Sequence, residues 1–267
     1  MVKYLFLFLM FCGAVHAQDS TLTRRQRYKL KRERSALLNA GYKLVAINFT
    51  QTGLQDQRMS PLVFNGYGAG LDLQSIRYSN KSFRDMQFRG MYNAAVVDVV
   101  PESYLHFSKA DVNYSYHWRL NSSSKEKIYL GGGFNNMLNM RYYPVLGNNS
   151  LGFDVSTGFS PSVVWVKEGL FNKNILLQAK GGFSAVAFVL RYPAFVYGGS
   201  ESKVKMISQF NRVFFEVGLS PKLKYSKENR YYFAYVFDAY AFSSSIDSNK
   251  IRAYINGIKF AYWLKTK

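Results

Sequence analysis

From Tyr42 to the C-terminus, apolar and polar residues alternate with a period of two, the period at which successive side chains of a β-strand face opposite ways. The clearest stretch carries Leu151, Phe153, Val155, Thr157, Phe159, Pro161, Val163 and Trp165 on one parity, with Gly152, Asp154, Ser156, Gly158, Ser160 and Ser162 on the other. One face of such a strand suits hydrocarbon and the other suits water. The pattern predicts strands near 42–52, 63–77, 83–99, 103–119, 126–140, 151–166, 174–191, 208–225, 230–243 and 250–265. Each is long enough to cross a bilayer when tilted, which takes about 9–11 residues. Turn-forming residues stand between strands at 79–81, 121–124 and 226–229. An even count places both termini on one side of the membrane, and the longer connections 55–62, 141–150 and 192–205 on the other. The expected fold is therefore all-β: a closed antiparallel up-and-down transmembrane β-barrel of about ten strands, with twelve as the alternative count, preceded by a short basic N-terminal helix.

Residues 1–17 read as a secretory signal peptide, with Lys3 near the start, an apolar run through residues 4–11, and small residues before a cut after Ala17. Met10 and Phe11, just before Cys12, do not fit a lipobox. The chain from Gln18 onward has no cysteine, which excludes disulfides and thiolate metal sites there. It also has no run of about 20 apolar residues, so membrane insertion must use strands. Residues 18–40 form a separate basic arm carrying Arg24, Arg25, Arg27, Lys29, Lys31, Arg32 and Arg34, expected to be helical and periplasmic. Such an arm either lies against anionic headgroups or a periplasmic partner, or is a solvated leader to the first strand. Residues 41–267 are the barrel.

Phe and Tyr are abundant, at 22 and 21, as strands and interfacial aromatic belts require. The formal net charge is +19. On an exported chain this points to anionic surfaces, namely outer-membrane lipid and lipopolysaccharide, and not to nucleic acid. The whole pattern resembles the small bacterial outer-membrane β-barrels of eight to twelve strands. The C-terminus departs from them: its aromatics, Phe260, Tyr262 and Trp263, are followed by the basic tail Lys265, Thr266, Lys267.

Parity also sorts the interior. On the fourth strand Lys109, Asp111 and His117 share one face, opposite Tyr104, His106, Ser108, Val112, Tyr116 and Trp118. The same test places Asp72, Asp85, Arg89, Asp154, Lys180, Arg212, Glu216 and Asp238 inside, because a charge facing the lipid midplane costs about 2–4 kcal/mol. Mixed signs in a narrow barrel suggest an ion-pair network filling the lumen. A thin polar path for an ion or small solute is the functional alternative. Gly66, Gly68 and Gly70, and the run 131–133, point to tight curvature. Tyr116, Trp118, Trp165, Tyr231 and Tyr262 are expected to form a periplasmic aromatic girdle.

Catalytic signals are sparse. His106 and His117 are the only histidines after the signal, and no zinc, EF-hand, phosphate-loop, dinucleotide or GxSxG motif occurs. No cofactor or metal is expected. His106-Phe107-Ser108 puts a base and a hydroxyl two residues apart on the outward face. This spacing resembles the HxS arrangement of outer-membrane lipid A deacylases, although Lys109 stands where that family has Asn and no acidic residue follows on the same face. The leading expectation is a non-enzymatic outer-membrane barrel with a structural, adhesive or limited-permeation role. The alternative is an outer-membrane acyl hydrolase using Ser108 and His106.

Overall fold

The computed structural model describes residues 41–57, 60, 62–79, 81–97, 100–121, 126–145, 151–168, 175–192, 204–207, 211–221, 230–243 and 250–266. The proposed signal and basic arm, 1–17 and 18–40, lie outside the described residues. The strands are β1 Gly41–Asp56, β2 Phe64–Tyr78, β3 Ser82–Val97, β4 Val100–Arg119, β5 Glu126–Tyr142, β6 Leu151–Glu168, β7 Ile175–Phe183, β8 Val186–Tyr192, β9 Val204–Ile207, β10 Asn211–Pro221, β11 Arg230–Ser243 and β12 Lys250–Thr266. Neighbours pair antiparallel around the wall, and β1 seals against β12 along its whole length, from Gly41 opposite Thr266 to Asp56 opposite Ile251. The result is a closed barrel of ten wall positions: β7 and β8 share the seventh, and β9 is a short additional strand beside β8. Among the described residues no helix is long and apolar enough to cross a membrane.

The seventh position corrects the sequence reading, which expected one uninterrupted strand at 174–191. Ser162 pairs with Gly182 and Phe159 with Val186, so two residues of β6 face three of the partner. The extra residue is a β-bulge. It reverses the parity: Gln178 is buried below the break, Ala187 and Val189 above it. The backbone around the bulge stays satisfied, because Ser184 N–H donates to the Arg212 carbonyl at 2.8 Å and Ala185 N–H to that of Phe159 at 3.0 Å.

Elsewhere the two-residue period holds. Val155 and Phe159 are exposed on the outer face, Leu151 and Phe153 are half-buried on it, and Asp154, Ser156 and Asp111 are buried inside. β-Branched, aromatic and long apolar side chains fill the outer rows because they suit a pleated face in contact with hydrocarbon. At about 3.3 Å per residue and a tilt near 40°, a strand of 16 residues such as β1 stands about 40 Å tall, more than the hydrocarbon core of about 30 Å. Tyr116, Trp118, Trp165, Tyr231 and Tyr262 all point outward near the strand ends of the rim that carries the termini. Tyr231 and Tyr262 meet at 5.7 Å between ring centroids, and Tyr116 and Trp118 at 5.0 Å.

The interior is layered. Near the terminal rim, Tyr42, Ile76, Tyr78, Phe83, Tyr129 and Trp263 belong to one buried apolar cluster. Near the opposite rim, Leu54, Phe64, Leu105, Phe107, Tyr143 and Ile251 belong to another. Most buried charges occupy the levels between, while Asp56, Arg141 and Asp154 lie level with the second cluster and Lys127 and Arg230 level with the first. Glycine is required where strands crowd: a Cβ on Gly66 would sit 2.0 Å from the Ala94 carbonyl oxygen, and one on Gly131 2.1 Å from that of Tyr116. These positions are filled by neighbouring backbone, which supports curvature over ligand space.

Candidate functional site

The inward rows of seven wall strands deliver ionised groups to the middle of the lumen, where each finds an opposite charge. Lys259 of β12 is fully buried, with Nζ 2.7 Å from Asp72 of β2 and 3.4 Å from Glu216 of β10. It also donates to Gln74 Oε1 at 3.1 Å. Arg89 of β3 reaches both carboxylates, at 3.5 and 3.6 Å. Gln87 donates to Asp72 at 2.6 Å and the Tyr232 hydroxyl to Glu216 at 2.9 Å. Closer to the rim opposite the termini, Lys109 of β4 lies 2.9 Å from Asp111 and also contacts Asp238 of β11. Arg212 of β10 donates to both oxygens of Asp238, at 2.9 and 2.8 Å, and to Asp111 at 3.4 Å. Its planar fork suits this two-point grip better than an ammonium would.

Below this layer, Lys180 of β7 pairs with Asp85 of β3 at 2.6 Å across the lumen, and Asp85 accepts from Gln74 at 2.8 Å. His117 is buried with Nε2 2.7 Å from Ser162 Oγ. Thus Asp72, Asp85, Arg89, Lys109, Asp111, Lys180, Arg212, Glu216 and Asp238 share one band, with His117 at its edge. Asp154 stands apart near the rim opposite the termini, where Arg141 bridges it to Asp56, the latter at 2.9 Å.

Three charged members of these networks are absent from the sequence-based set. Lys259 sits on an inward row that otherwise reads Ile251, Ala253, Ile255, Gly257, Ala261 and Trp263, so polarity alone does not distinguish the two faces of β12. Arg141 and Asp56 fall in stretches assigned to loops, whereas β5 and β1 continue through them. Parity extended past the expected strand ends would have found both.

A lumen so filled leaves little room. One cavity of about 40 Å³ is lined by Arg89, Asn113, Ser115, Lys180, Arg212 and Glu216, among others. A second of about 10 Å³ lies beside Asn48, Thr50 and Lys109. Both are on the scale of one or a few waters. Among the described residues no group of three or more metal-ligating side chains occurs.

The outward pair behaves differently. His106 lies between Tyr92 and Tyr142, stacked on each at 6.0 Å between ring centroids. The Tyr92 hydroxyl stands 2.5 Å from His106 Nδ1, the nitrogen that a carboxylate orients in an acyl-transfer triad. Ser108 shares the outward face, opposite Tyr92 on β3 and Met140 on β5.

No family model and no curated protein sequence matches the chain. Among solved structures, the outer membrane protease OmpT from Escherichia coli superposes with a TM-score of 0.54 at 8% identity, over 86% of this chain and 97% of that one. The translocator domain of the autotransporter NalP from Neisseria meningitidis matches with a TM-score of 0.41 at 8% identity, over 88% and 94%. The fold is that of an outer-membrane β-barrel. Identity this low carries the fold alone, and the protease activity named for OmpT does not transfer with it. A closed barrel with an apolar outer face and an aromatic girdle belongs in an outer membrane.

Proposed function

We propose that this outer-membrane barrel is a closed, non-enzymatic membrane anchor whose role is structural or adhesive, in place of limited permeation. The observation that carries the reading is the filling of the lumen: an apolar cluster, a band of paired charges, and a second apolar cluster that also encloses the Arg141 ion pairs. An aqueous path needs continuous wetted space, and the cavity beside the charged band is about 40 Å³. The interior charges then act as cross-braces between distant strands. The barrel reaches the outer membrane of a Gram-negative cell through the export signal at residues 1–17. It resembles porins in its wall but not in its lumen. Its partners are outer-membrane lipid and lipopolysaccharide, with the arm bearing Arg24, Arg25, Arg27, Lys29, Lys31, Arg32 and Arg34 meeting anionic headgroups or a periplasmic partner.

Liposome swelling tests the reading. Vesicles carrying the refolded, heat-modifiable protein should swell in small sugars or amino acids no faster than empty vesicles. Swelling that increases with protein content would replace the anchor with a permeation role.

A further inference from the structure

Cations on the outer face crowd one flank of the terminal rim. Arg77, near the end of β2, and Arg84, near the start of β3, are directly opposed across the ladder, and both are outward and exposed. Directly opposed side chains stand about 4.5–5.5 Å apart at Cβ, and like charges so placed repel. Lys43 of β1 lies on the same face, diagonal to Arg77, because its ladder partner is Ser75. Lys81 occupies the connection between β2 and β3. The outward rows of β1, β2 and β3, and of β4 from Tyr104 on, contain no aspartate or glutamate. Farther round the same rim, by contrast, Lys167 is neutralised by Glu126 at 2.7 Å.

Two neighbouring features define what would complete the arginine pair. Arg84 lies over the Tyr116 ring at 5.1 Å, and Tyr116 packs edge-on against Trp118, which is 62% exposed. This aromatic platform fixes the guanidinium at the level where girdle residues sit among headgroups. One ladder step toward the membrane centre, Ser75 faces Met86, and one step beyond that Leu73 faces Phe88. Met86, Leu73 and Phe88 are exposed on the outer face.

We infer that Arg77 and Arg84 bind the phosphate of an anionic phospholipid headgroup in the leaflet at the terminal rim, with Lys43 and Lys81 supplying surrounding positive potential. A phosphate accepts from two guanidinium forks at once and removes their mutual repulsion. The exposed apolar rows directly above it seat the acyl chains, so the occupant is a membrane lipid and not free phosphate. The site rests on the barrel being embedded in an outer membrane, as proposed above.

Native mass spectrometry of the full chain, released from nanodiscs of mixed phosphatidylethanolamine and phosphatidylglycerol, tests this site. The wild type should retain phosphatidylglycerol in preference to phosphatidylethanolamine, and the double variant Arg77→Gln, Arg84→Gln should retain about tenfold less of it. Lys167→Gln should match the wild type, and millimolar inorganic phosphate should not displace the lipid. Equal retention by the double variant, no headgroup preference, an equal loss in Lys167→Gln, or stripping by inorganic phosphate would each overturn the assignment. Heat-modifiable mobility is read on the same samples. A chain that does not insert discredits the membrane barrel, whereas an inserted chain without lipid preference discredits the headgroup site alone.

Discussion

Lys259 on β12 and Arg77 on β2 stand two wall positions apart in the same sheet. Lys259 is fully buried and touches two carboxylates, whereas Arg77 is exposed beside another arginine among outward rows without acids. The contrast follows from what lies on each side of the wall. Inside a narrow lumen water and mobile ions solvate a charge poorly, so a cation is stabilised chiefly where the chain itself supplies the counter-charge. On the outer face at the terminal rim, headgroups and solvent supply it. A net charge of +19 is therefore uninformative about the interior, where the cations of the charged band are paired.

The contrast breaks most sharply at Lys259. Lys259→Ala should destabilise the barrel by about 3–5 kcal/mol, because Asp72 and Glu216 would lose an interior counter-charge. Urea unfolding in lipid vesicles, followed by tryptophan fluorescence, reads this. A loss below about 1 kcal/mol would mean that water reaches the band. Gly131→Val tests the close-packed wall and should cost about 1–3 kcal/mol or prevent closure, since its Cβ would meet the Tyr116 carbonyl oxygen at 2.1 Å. The same unfolding assay, with gel mobility as the check on closure, measures it. On the outer face, Lys167→Gln should change stability by no more than about 0.5 kcal/mol, because its partner Glu126 remains partly solvated. The smallest effect is expected at the His106 and Ser108 pair. Mass spectrometry of lipopolysaccharide incubated with the wild type, Ser108→Ala or His106→Ala should show no difference in acyl content. Acyl release by the wild type that both substitutions abolish would establish a nucleophilic unit there.

Much of this architecture is legible from alternation alone, because an outer face in hydrocarbon enforces the period of two at nearly every position. Asp85, Lys109 and Arg212 could be assigned inward for that reason. Alternation is less informative where both faces are apolar, as around Lys259, and at strand ends, where Asp56 and Arg141 precede turn-rich segments. It also does not mark the bulge at Ser184 and Ala185, since a one-residue insertion leaves both flanking patterns intact and only shifts their phase. Pairing is a different matter. That Lys180 meets Asp85 and Arg212 meets Asp238 depends on strand register and on the reach of long side chains across the lumen, which no single strand encodes.

The most direct test is single-channel recording from the refolded protein in a planar bilayer, with insertion verified by heat-modifiable mobility and protease protection. With apolar layers at both ends of a paired charge band, the membrane should stay electrically silent at either polarity. Discrete conductance steps of one reproducible size, proportional in frequency to the protein added, would show a continuous aqueous path and contradict a closed lumen.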